Sequence, residues 1–183
     1  MPRLNPIDPN EAEGKAKTLL KGVEKALGMT PNLMRTLANS PAALEAYLSF
    51  ANALGNGRLS AKLREQIALA VSNANGCAYC ASAHTAVGKM LGLDAAELTN
   101  NLHASSGDPK VEAALKFAHA IIAKEGWLGD DDLQHVRDAG YDDGEIVELV
   151  AATAFTIFTN YFNHIAETEV DFPLVAVDEL AAA

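Results

Sequence analysis

The chain has 183 residues, 49% of them hydrophobic and 21% charged, with a net charge of −10 and a pI near 4.8. That length can bury roughly 70% of its unfolded surface in one domain, and the composition is not that of a disordered chain. Such an acidic balance excludes a nucleic-acid or anionic-membrane face, both of which need a basic patch.

Aromatic residues make up only 6%, and Ala-rich stretches replace β-branched runs, so an all-α fold is expected. The opening MPRLNPIDPNEAEGK has no apolar core and does not read as a signal peptide. Residues 8–28 read as an amphipathic helix stopped by Gly28, and Pro31 and Ser40-Pro41 punctuate helices near 31–38 and 41–54. After a break at 55–57, Ser60 is placed to cap a helix over 61–74 that stops at Asn73, Asn75 and Gly76. A helix from about Cys77 to Leu91 follows, then one near 95–104 behind Asp94. Asp108-Pro109 opens the next, closed by Gly126; a short helix spans 130–140, and the longest covers about 143–167.

The longest uncharged run, 149–164, is interrupted by Thr, Asn and His and is too short to cross a bilayer. No strict apolar/polar alternation persists, so no strand is expected. The tail, 171–183, has no evident partner in the chain and is expected to pack on a neighbouring subunit or stay loose. A single domain over 1–183, with its core at about 40–168, follows. Without an export signal the cytoplasm is expected, where a persistent structural disulfide is unusual.

Chemistry concentrates in NANGCAYCASAH, residues 73–84, which holds both cysteines. On a helix, Cys77, Cys80 and His84 stand at i, i+3 and i+7, sharing one face. The pair lies in the first helical turn, where free backbone N–H groups and the helix dipole favour a thiolate. His84, one turn beyond Cys80, is placed to act as its base. The turn at 73–76 folds two helices together, so the residue as far before the turn as His84 lies after it is Glu65. Glu65 sits in REQIALAV among apolar neighbours, a candidate buried carboxylate needing a partner.

The five-element spacing, Glu65-x11-Cys77-x-x-Cys80-x3-His84, resembles the signature of alkylhydroperoxidase D in the carboxymuconolactone decarboxylase superfamily. The resemblance covers roughly 40–168 and leans towards the peroxidase-related branch. It implies an all-helical subunit assembled into a homo-oligomer, a trimer or hexamer, that reduces organic hydroperoxides. It also implies that Cys80 attacks the peroxide, Cys77 resolves it as a disulfide, and Glu65 and His84 relay the proton. An external dithiol of unassigned identity would reduce the disulfide, and no metal or organic cofactor is required. One departure is Tyr79, where some relatives carry a second His; a phenol donates a hydrogen bond but is no base near neutral pH.

Other readings of the same residues stay open. Two Cys, one His and one Glu form a full ligand set for zinc; inert buried thiols and a redox sensor in an interaction protein are further readings, each ranked below redox catalysis. A decarboxylase-type acid–base enzyme needs no Cys pair. His103, His119 and His135 read as surface residues, whereas Asn160, Tyr161 and His164 form a polar patch expected at a pocket or subunit interface. Tyr47, Phe50, Phe155, Phe158 and Phe162 are expected in the core, and Trp127 at a surface or interface.

Overall fold

The computed structural model describes residues 1–178, and these contain helices and no strand. In chain order the helices are α1 (Gly14–Leu27), α2 (Asn32–Leu37), α3 (Pro41–Gly55), α4 (Ala61–Ala74), α5 (Ala78–Met90), α6 (Ala95–Leu102), α7 (Pro109–Ala123), α8 (Asp130–Asp138) and α9 (Asp143–Ala166). The expected Ser60, Asp94 and Asp108 each accept a backbone N–H from the first turn that follows, and Asp142 does the same for α9. The first helix is shorter than the sequence suggests. Residues 8–12 form only a turn, Glu13 is extended, and Gly14 takes a left-handed φ of 52° before the helix starts.

Helix α4 runs through the middle and packs against α5, α6, α7 and α9. Its central run from Gln66 to Asn73 is wholly buried. One apolar cluster joins Ile67, Val71, Leu115, Phe117, Val136 and Leu149 from α4, α7, α8 and α9. A second joins Leu20, Val23, Leu33, Met34, Leu37 and Leu44 from α1–α3 with Cys77, Tyr79 and Cys80. Each fully buried Leu or Ile contributes on the order of 2 kcal/mol, so the thiols rest in a scaffold held mainly by apolar burial.

Helix α9 reverses the usual pattern. Its buried residues include Thr153, Thr156, Thr159, Asn160 and Asn163, while Val147, Val150, Phe158, Tyr161 and Ile165 are 44–68% exposed. The expected core placement of Phe158 is therefore corrected: it faces outward, as Phe50 does at 40% exposure. The threonine hydroxyls satisfy themselves by donating to carbonyls of their own helix, which lets them replace apolar groups in the interior.

The described part of the tail also departs from expectation, because it packs on its own chain. Asn32 N–H donates to Asp171, the Phe172 ring meets Tyr79 edge-on, Val175 N–H donates to Ser82, and Asp178 exchanges two hydrogen bonds with Asn73. Residues 179–183 lie outside the described residues. No described helix is long and apolar enough to cross a membrane.

Candidate active site

The α4–α5 turn sets the site. Asn75 ends α4, Gly76 takes a left-handed φ of 64°, and Cys77 N–H donates to the Ser72 carbonyl at 2.8 Å. The Asn75 amide donates to Asn160 at 2.9 Å, tying the turn to α9. Cys77 is the N-cap of α5, its sulfur accepting the Cys80 N–H at 3.3 Å, so both thiols stand at the positive end of the helix.

The two sulfurs lie 2.6 Å apart, both as free thiols, and both are buried. Their settings push them in opposite directions. The hydrogen bond to Cys80, reinforced by burial, raises the Cys77 thiol well above its ordinary range. Burial also pushes Cys80 up, but the Cys77 hydrogen bond, the charge of His84 and the amides of Asn163 and Asn160 outweigh it. Together they bring Cys80 down to about 6.

His84 Nδ1 meets Glu65 Oε2 at 2.7 Å, the pairing expected from the helical hairpin. Glu65 is not fully enclosed: its side chain is 20% exposed at a cavity edge. Burial opposes charge on His84, yet the Glu65 carboxylate, aided by the Cys80 sulfur, holds its pKa above the ordinary value. With Nδ1 engaged by Glu65, Nε2 is the nitrogen left for chemistry.

Cys80, His84 and Glu65 line one cavity of about 250 Å³. Its other walls are apolar, with Leu33, Met34 and Val87 beside the rings of Tyr47, Tyr79, Phe155 and Phe172. A second cavity of about 240 Å³ reaches Glu65 and His84 from the side of Arg64 and Leu54. Tyr47 and Phe155, expected in the core, are thus cavity walls, stacked on each other at 4.9 Å. Tyr79 is part of the wall: its hydroxyl accepts the Leu33 N–H at 3.0 Å and ties α2 over the thiols. Among the described residues, no three His, Cys, Asp or Glu side chains group as metal ligands.

The polar patch expected at 160–164 divides. Asn160 is fully buried and also donates to Ser72, whereas Tyr161 and His164 stack on each other outside. His103, His119 and His135 are exposed, as is Trp127. Sequence reasoning missed Asn163, whose side-chain amide lies 3.2 Å from Cys80 Sγ. A signal was present: Thr153, Thr156, Asn160 and Asn163 follow one another at steps of three and four, a polar stripe on one helical face.

Residues 41–120 match the carboxymuconolactone decarboxylase family. No curated protein matches the chain significantly. Among solved structures, the fold is similar to an alkylhydroperoxidase AhpD core, a peroxidase-related protein from Ralstonia eutropha JMP134. The TM-score is 0.84 at 23% identity, over 93% of this chain and 92% of that one. A peroxidase-related protein from Silicibacter sp. TM1040 gives 0.80 at 24% identity, over 91% and 92%. The debrominase Bmp8 in complex with 2,3,4-tribromopyrrole gives 0.79 at 20% identity, over 92% and 91%.

Proposed function

From the match of residues 41–120 to the carboxymuconolactone decarboxylase family and the similarity of the fold to an alkylhydroperoxidase AhpD core, we propose that the chain is a thiol-dependent peroxidase for organic hydroperoxides. The observation that carries this reading is the meeting of Cys80 with the Glu65–His84 pair in one apolar cavity, with Cys77 in contact behind it.

In the proposed cycle, His84 takes the Cys80 proton and Glu65 balances the resulting imidazolium. The thiolate attacks the terminal peroxide oxygen, the O–O bond breaks, and His84 returns its proton to the departing alkoxide. An alcohol leaves and Cys80 becomes a sulfenic acid. The Cys77 thiol then attacks that sulfur, releasing water and forming the disulfide. An external dithiol reduces the disulfide, its two electrons restoring both thiols. The ring-walled cavity, with Glu65 and no lysine or arginine on its lining, suits a compact, neutral hydroperoxide better than one carrying a carboxylate. Two free thiols fit a reducing compartment such as the cytoplasm. The apolar outer face of α9 supports a homo-oligomer.

Counting free thiols before and after one equivalent of cumene hydroperoxide tests the reading. Both thiols should be lost, one alcohol formed per peroxide, and Cys80→Ser should consume none. Turnover retained by Cys80→Ser would defeat the mechanism.

The same ring-lined cavity favours a second reading, reductive dehalogenation of a small haloaromatic. There the thiolate takes the halogen, the ring takes a proton from His84, and Cys77 displaces halide to give the same disulfide. Bromide release from 2,3,4-tribromopyrrole, with peroxide left intact, would replace the first reading with this one.

A further inference from the structure

Asn163 lies in the last turn of α9, on its buried face. Its backbone carbonyl accepts the Thr168 N–H and helps close the helix. Its side chain does something different. The amide Nδ2 donates to Cys80 Sγ at 3.2 Å, and Oδ1 is buried with no hydrogen-bond partner among the described residues. A buried amide with an unpaired carbonyl is a burden on folding, since the lost hydration is not repaid. An apolar side chain of similar size would fill the same space without it. Among the described residues its hydrogen bond goes to the sulfur placed at the cavity, and it also opposes the rise of the neighbouring Cys77 thiol.

No lysine or arginine lines that cavity. The titratable groups around Cys80 are Cys77 at the N-cap of α5, Tyr79 and His84 on α5, Glu65 on α4, Tyr47 on α3 and Asp171 beyond α9, and of these His84 is the one that can become a cation. A thiolate buried in apolar surroundings needs hydrogen-bond donors aimed at it. The Cys80 sulfur has Cys77 on one side and Asn163 on the other.

We propose that Asn163 is a catalytic residue, a neutral donor that holds Cys80 as the thiolate through its side-chain amide. It deepens the peroxidase reading but also stands for any chemistry that begins with a Cys80 thiolate. Asn160, three residues earlier, is occupied by Asn75 and Ser72 and fixes the turn. Asn160 adds a smaller pull on Cys80 while tying the turn, whereas the Asn163 amide gives its hydrogen bond to the reacting sulfur.

The test titrates the thiolate by its ultraviolet absorbance and needs no peroxide. It uses Cys77→Ser as the parent, in which serine keeps the helix cap and one thiol remains. Asn163→Leu is compared with this parent, and Asn163→Ala serves if the leucine variant does not fold. At a pH where the parent is half ionised, the thiolate-to-thiol ratio should fall about tenfold, the worth of one hydrogen bond to a charged acceptor. Thermal stability of Asn163→Leu should hold or rise. A ratio that is unchanged or higher overturns the proposal, whatever happens to stability. If the parent shows the expected titration but wild-type protein consumes no hydroperoxide, the peroxidase reading fails and the role of Asn163 stands.

Discussion

The two sides of α9 hold opposite chemistry. The inward side carries Thr153, Thr156, Thr159, Asn160 and Asn163, all buried; the outward side carries Val147, Val150, Phe158, Tyr161 and Ile165, all exposed. On an ordinary surface helix the two sets would be exchanged. The inversion has two different causes. The inner face is polar because it must serve a turn and a sulfur, while hydroxyls bonded to their own helix make the remaining polarity tolerable. The outer face sets apolar side chains in solvent, the feature on which the proposed homo-oligomer rests.

The most damaging way to break this contrast is Asn160→Leu. It strands the Asn75 amide and removes the contact with Ser72 inside the core. A loss of about 3 kcal/mol is expected in denaturant unfolding, from groups left unsatisfied. Stability equal to wild type would mean that the turn does not depend on α9.

A pH series sharpens the contrast at the sulfur. Cys80 is depressed to about 6 from an ordinary 9.0, so its ionised form stabilises the fold above the ordinary thiol range, and that stabilisation is lost as pH falls through about 6. Melting temperature should therefore climb between those limits, worth on the order of 4 kcal/mol. Cys77, raised, ionises only in the unfolded chain, so stability should decline again at still higher pH. Cys80→Ser should remove the climb, and a climb that survives it would assign the effect to another group.

The smallest effect on folding belongs to the outer face. Phe158→Glu should change monomer stability by less than about 0.5 kcal/mol, because the side chain is already 45% exposed. It should nonetheless lower the molecular mass in sedimentation if that face is the subunit contact. An unchanged mass would move the contact elsewhere.

Much of the fold was legible because its boundaries are local. Pro41, Ser60, Asp94, Gly28 and Gly76 mark helix ends by backbone chemistry that needs no tertiary partner. The Glu65–His84 contact was legible too, since a short turn fixes the register of the helices on either side. Asn163 and the tail were not. They reach the site from 80 or more residues away, and no local pattern states which face of a nearly continuous apolar helix turns inward. For α9 the eye follows the hydrophobic residues, whereas the polar ones define the buried stripe. The short N-terminal helix was lost to Gly14, whose left-handed conformation composition does not reveal.

The tail has a consequence for the order in which the molecule is made. Cys77, Cys80, Glu65 and His84 leave the ribosome well before Asn163, the Phe172 wall and the Val175–Ser82 clasp. A nascent chain halted before α9 carries both thiols without the amide beside Cys80 and without that part of its cavity. Chains halted there therefore bear both cysteines without the amide and the ring that surround Cys80 in the folded protein.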